Sequence, residues 1–255
     1  MPLRTDIASV PGLRACRIRF RRDRGVIGGS SREIAVSTKS AESTVRGSFD
    51  GWLDAAYDSL IRGGIDSVRI MPLSQRVRLS RTSFYWFFKD RDALLQALLA
   101  RWKSKNTHNL VQQTEAYAES ITEAILNVFD CWLDPRLFDS RFEFAVRNWA
   151  QRSNDVAAEI VAADNTRLEA LQSMFIRFGY KPLPADVRSR TIYLTQIGYI
   201  SMQTSETLAT RMARIPGYVE IFTSTPPARR ELERFFARHG YSEAPQRQRH
   251  GKSQR

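Results

Sequence analysis

A chain of 255 residues with 42 % hydrophobic content is long enough to bury one or two real cores and has the composition of an ordinary globular protein. No apolar run approaches the ~18–20 residues of a membrane span, and no short apolar core with a small-residue cleavage site marks a secretion signal, so a cytoplasmic protein is expected. Most of the formal charge of +12 sits at the ends: residues 1–47 hold ten Lys/Arg against four Asp/Glu, and residues 242–255 hold four against one.

Residues 1–46 are rich in Arg, Ser and Gly and lack sustained periodicity, so they read as a basic, mostly disordered arm. An Arg- and Ser-rich transit peptide, or a start codon placed too far upstream, is the other reading of that stretch; four acidic residues weaken the first. The arm and the basic tail at 242–255 are either solvated ends or extensions that add phosphate attraction.

The folded part reads as helical throughout, with no strand-type alternation of any length. Phe49, Leu53, Ala56 and Leu60 share one face of a first helix from about Ser48 to Arg62, stopped by Gly63-Gly64. A second helix is expected over Ile70–Val77, with Pro72 in its first turn and Leu73 and Val77 inward. After the tight junction Val77-Arg78-Leu79-Ser80, a third helix opens on a capping Ser80 and runs to about Phe87, with Phe84 and Phe88 inward. Asp90 or Asp92 then caps a longer helix that buries Leu94, Leu95, Leu98, Leu99 and Trp102.

Further amphipathic helices follow. One carries Ile121 to Trp132 and ends at Asp134-Pro135; another carries Phe142 to Trp149. A long one, capped by Ser153, reaches Gly179, where Pro182 and Pro184 break the chain. Val187–Met202, a segment near 205–214, and a last helix between Pro226-Pro227 and Gly240 complete the pattern.

The stretch Ser67–Lys89 holds Arg69, Arg76, Arg78, Arg81 and Lys89 and no acid, with two short helices meeting at a tight turn. That is the pattern of a helix-turn-helix presenting polar and aromatic groups to DNA. Arg81 can donate two parallel hydrogen bonds to a guanine edge, and Thr82 can touch a thymine methyl or a phosphate. Tyr85 and Trp86 carry polar tips on large rings, Lys89 and Arg91 would clamp the backbone, and Arg69 could reach a phosphate.

The residues Leu73, Ser74, Val77, Leu79-Ser80, Ser83–Trp86, Phe88–Asp92 and Leu94-Leu95, with Leu53–Ala56, Leu60 and Gly64 upstream, resemble the tetracycline-repressor (TetR) family of bacterial transcription regulators. The resemblance covers about residues 49–102 and fades beyond to a general helical pattern. It implies an all-α fold: a three-helix DNA-binding domain at 47–96 and a helical effector-binding and dimerisation domain at 97–241. It implies DNA contacts from Arg69, Arg81, Thr82, Ser83, Tyr85, Trp86, Lys89 and Arg91, an inverted-repeat operator, a small-molecule effector and a homodimer. Candidate pocket residues are Trp102, Phe129, Trp132, Phe142, Trp149, Phe175 and Tyr193, although aromatic stripes at helical spacing are more often core. Candidate dimer residues, on the family's use of its last helices, are Tyr193, Ile197, Ile200, Leu232, Phe235 and Phe236. Arg147, Asp164 and Arg167 read as intramolecular ion pairs.

Three positions depart from the family pattern: Arg78 where Gly is frequent at the turn, Thr82 where Gly is frequent, and Phe87 where His is frequent. Arg78 and Thr82 leave open a second reading, a small-molecule sequestering protein with degenerate DNA readout, while Thr82 and Phe87 suggest operator readout particular to this protein. Two cysteines and three scattered histidines offer neither a disulfide framework nor metal-ligand spacing, and no nucleophile–base set or phosphate loop stands out, so no cofactor and no enzymatic activity are expected.

Overall fold

The computed structural model describes residues 47–242; the readings made for the basic arm and for the tail beyond Ser242 lie outside the described residues. Among the described residues there are eleven α-helices: α1 (Phe49–Gly63), α2 (Ile70–Val77), α3 (Arg81–Tyr85), α4 (Arg91–Trp102), α5 (Asn109–Glu115), α6 (Ile121–Leu133), α7 (Ser140–Ala150), α8 (Asn154–Arg177), α9 (Pro182–Ser201), α10 (Leu208–Thr223) and α11 (Arg229–Arg238). A 3-10 turn at Ile65–Ser67 follows α1, and a π-helical turn at Lys103–His108 joins α4 to α5. No described helix is long and apolar enough to cross a membrane.

Local chemistry explains most of the boundaries. Ser48, Ser80, Asp90, Ser120, Asp139, Ser153 and Thr207 each accept a backbone N–H in the first turn of the helix they precede. The prolines at 182 and 184 do not hold the chain out of the helix. They occupy the first turn of α9, where no intrahelical N–H is required, so this helix begins five residues before Val187. Pro216 sits inside α10, which runs on to Thr223 because Met212, Ile215, Val219 and Phe222 bury a continuous stripe. The third helix ends at Tyr85, two residues early, and the chain turns through Trp86 and Phe87.

Two apolar clusters hold the chain together. The first is built on Trp52, Phe84 and Phe88 in the α1–α3 head and runs through Leu94, Leu98 and Trp102 of α4 into Phe142, Val146 and Trp149 of α7. The head therefore shares its core with the body. The second cluster gathers α6 (Ile125, Phe129), α8 (Leu171, Phe175), α9 (Ile192, Tyr193), α10 (Ile215, Phe222) and α11 (Phe235, Phe236). Cys131 lies within it, and burial pushes its thiol pKa up to about 12, so the sulfur is an inert packing group.

A buried polar network crosses the body. The Glu143 carboxylate accepts from Arg147, Arg167, Trp102 Nε1 and Asn106, and both Glu143 and Arg167 are fully buried. Arg147 pairs with Asp164, and Tyr193 donates to Asp164 at 2.6 Å. The expected ion pairs of Arg147, Asp164 and Arg167 are thus present, with Glu143 at their centre. Burial by itself would raise the Glu143 pKa; Arg167, Arg147 and Asn106 outweigh it and hold the carboxyl below its ordinary range. The network reaches the head through Asp139, whose backbone N–H and carbonyl both bond to Asn106 and whose carboxylate takes the Tyr57 hydroxyl of α1 at 2.5 Å.

Candidate nucleic-acid interface

The turn between α2 and α3 decides where α3 points. Arg78 ends α2 in the left-handed conformation, φ 55° and ψ 40°, and the Leu79 N–H returns to the Ser74 carbonyl at 3.0 Å. This is a Schellman-type stop, the position at which glycine is favoured because it has no Cβ to strain. The chain keeps the geometry with an arginine. Arg78→Gly is therefore expected to stabilise the protein by roughly 0.5–1 kcal/mol, because relief of left-handed strain exceeds the extra entropy glycine loses on folding. Urea unfolding checks it; a lower midpoint with an unchanged slope would contradict the strain argument.

Behind α3 lies an aromatic stack. Phe84 meets Trp52 edge-on at 5.3 Å and Phe88 face-on at 5.4 Å, and Phe88 stacks on Phe49 at 4.8 Å. With Phe84 locked inward, the other side of the helix must face solvent. Arg81, Thr82, Tyr85 and Trp86 are exposed there, Trp86 to 82 %, and Arg69, Arg78 and Lys89 are exposed nearby in the chain. Ser83 is half-buried, and its backbone N–H is taken by the Ser80 side chain.

Arg91 departs from the others. Its Nε donates to the Val68 carbonyl at 2.6 Å and a terminal nitrogen donates to the Ile65 carbonyl at 3.1 Å. Its guanidinium satisfies the carbonyls of the chain between α1 and α2, a structural task that sequence spacing alone does not reveal. These bonds use two of the five N–H donors of the guanidinium.

The aromatic residues singled out as a pocket fall in several different surroundings. Trp102 and Tyr193 belong to the polar network, Phe142 packs edge-on to Tyr57 at 5.0 Å, and Phe175 meets Tyr180 at 5.1 Å. Phe129 and Trp132 line a small chamber of about 30 Å³, with Tyr218 and Phe222. Trp149 lines a separate open cleft of about 940 Å³ between the end of α1, α7 and α9. Gln196, Tyr199, Glu206 and Arg211 line both spaces, and the aromatic pattern did not single them out.

The candidate dimer residues also face inward. Tyr193, Ile200, Phe235 and Phe236 are buried in the chain's own core, and Ile197 and Leu232 pack against it half-buried. The outward apolar residues of α9 are Leu183, Val187 and Leu194, 73 %, 54 % and 61 % exposed. The helical period was legible, but which of two apolar stripes faced the core was not. Among the described residues no group of three or more His, Cys, Asp or Glu is placed to hold a metal ion.

Residues 53–98 match the model of the bacterial regulatory proteins of the TetR family, the segment that contains α2, α3 and the turn between them. No protein of curated function matches the sequence. Among solved structures, a protein from Mesorhizobium loti described as a TetR-family transcriptional regulator is similar over 74 % of this chain and 95 % of its own, with a TM-score of 0.51 and 14 % identity. Residues 53–98 are thus similar to the bacterial regulatory proteins of the TetR family, and the all-helical chain that carries them has the fold of the Mesorhizobium loti protein.

Proposed function

We propose that this protein is a cytoplasmic transcriptional repressor that binds an inverted-repeat operator as a homodimer and leaves it when a small molecule binds the body. The observation that carries the DNA reading is the sidedness of α3. Phe84 is fully buried, while Trp86, two residues on and so on the opposite side, is 82 % exposed. A tryptophan held open to water in a segment, Ser67–Lys89, that carries five cations and no acid suits a polyanion with apolar thymine methyls in its groove. Arg81 and Thr82, in the first turn of α3, take base edges. Tyr85, Trp86, Lys89 and Arg69 take phosphate or sugar, and Ser83 contributes from the half-buried edge. Arg91 positions the α1–α2 connection that supports them.

Two-fold symmetry would place two α3 helices about one DNA turn apart, ~34–36 Å, in successive major grooves. The outward Leu183, Val187 and Leu194 of α9 support a self-complementary interface, since a monomer gains nothing from keeping that stripe in water. Effector and DNA would then disfavour each other reciprocally.

Selection of bound duplexes from a random pool tests this reading, and a palindromic consensus is the expected result. On that consensus, Arg81→Ala is expected to weaken binding by about 1–3 kcal/mol and to relax preference at one base pair of each half-site. Equal weakening on all sequences would reassign Arg81 to a phosphate, and an asymmetric consensus with no repeat would remove the dimeric operator.

A further inference from the structure

We propose that the 940 Å³ cleft between head and body binds an aromatic organic anion, with Arg211 receiving the anionic group. Its regulatory consequence rests on the effector reading above; the binding itself does not. The cleft has the capacity of a small-molecule site, typically ~300–1,000 Å³. Its head side is Leu60, Ile61 and the Gly63–Asp66 turn, and its body side is α7, the end of α9 and the connection to α10.

The charges in and around it point to an anion. Asp66 and Glu206 are its two carboxylates, and each is already paired, Asp66 with Arg152 and Glu206 with Arg214. Arg141 and Arg211 also line the cleft and have no carboxylate partner among the described residues. Arg211 lies over the Tyr199 ring, 5.9 Å from its centroid, which leaves its guanidinium edge available for two parallel bonds to a carboxylate or sulfonate.

The walls favour a flat partner. Phe144, Trp149 and Tyr199 present aromatic surface around the arginines. At the inner end the cleft shares Gln196, Tyr199, Glu206 and Arg211 with the aromatic chamber, where two buried polar atoms lack partners: Trp132 Nε1 and one carboxylate oxygen of Glu206. Leaving such atoms unpaired costs about 1–3 kcal/mol each, so a ligand reaching inward gains by supplying a donor to Glu206. A ring bearing an anionic group and an N–H or O–H meets all these demands. Seated there, it would touch the head and the body at once, beside the Asp66–Arg152 ion pair that already joins them.

Two matched dyes test the proposal on the full chain. 8-Anilinonaphthalene-1-sulfonate carries a flat ring system, an N–H and a sulfonate; N-phenyl-1-naphthylamine is the same skeleton without the charge. The expected result is one sulfonate dye per chain, bound about ten-fold or more tightly than the neutral dye, with that preference lost in Arg211→Gln and reduced in Arg141→Gln. Thermal midpoint and DNA affinity without dye should stay unchanged in both variants. Equal affinity for the two dyes, or a preference indifferent to Arg211, overturns the proposal, as does a dimer whose second copy fills the cleft and excludes both. Arg211-dependent binding that leaves a preformed DNA complex intact would uphold the site and remove the effector-release reading.

Discussion

Glu143→Gln is expected to destabilise the protein by about 3–5 kcal/mol, the scale for breaking a buried ion pair by removing one partner. The change is nearly isosteric, so the loss is electrostatic. Arg167, fully buried, would keep the Tyr193 and Thr107 hydroxyls but, as its one carboxylate, only the weaker approach of Asp164 at 3.7 Å, and the new amide N–H₂ would confront donors on Asn106 or Trp102. Denaturant unfolding of the two proteins at neutral pH measures it, and a difference under about 1 kcal/mol would show that Asp164 and the Tyr193 hydroxyl satisfy Arg147 and Arg167 unaided. The pH dependence has a definite sign. Because the folded pKa of Glu143 lies below the ordinary value of 4.5, its stabilisation is complete above that value and drains away as pH falls through the folded one. The wild-type protein should therefore lose more stability on acidification than the glutamine variant, and the two curves should converge in acid. Since the same network holds Asn106 and Asp139 against Tyr57, the variant should also bind DNA more weakly without a change in sequence preference.

Phe84→Ala is expected to cost about 3–5 kcal/mol and to lower Tm by roughly 6–20 °C. The residue is fully buried and is the hub between Trp52 and Phe88. The void would lie directly beneath Arg81, Thr82 and Tyr85, so DNA affinity should collapse although no contacting group has been removed. Arg81→Ala provides the contrast, weakening DNA binding while leaving Tm within a degree or two. Calorimetry and operator binding on both variants separate scaffold from contact. A Phe84→Ala protein with wild-type Tm would mean that the head repacks without its aromatic stack.

The two expectations differ in how far ahead they were legible. Phe84 and Phe88 are readable as core from i, i+4 spacing alone, and the caps Ser80 and Ser153 from single residues ahead of apolar periods, whereas the choice of Asp90 over Asp92 is made by the structure. Arg81, Thr82, Tyr85 and Trp86 followed, because fixing one side of a short helix fixes the other. Glu143 was not legible. Its partners come from α4, the π turn, α7 and α8, and a glutamate four residues before an arginine normally marks a solvated helix face.

What the sequence by itself determined was local: helix positions, capping residues, the α2–α3 junction and the family pattern across it, all set by interactions within about four residues along the chain. Only the tertiary structure decided which face of α9 is core, that Arg91 donates to the Val68 and Ile65 carbonyls while Arg211 is left without a carboxylate among the described residues, and that the open cleft lies against the head. The physical reason is that burial and ion pairing join residues tens of positions apart. The same arginine on the same helical period is a structural tie or a free cation according to the carbonyl or carboxylate the fold brings to it.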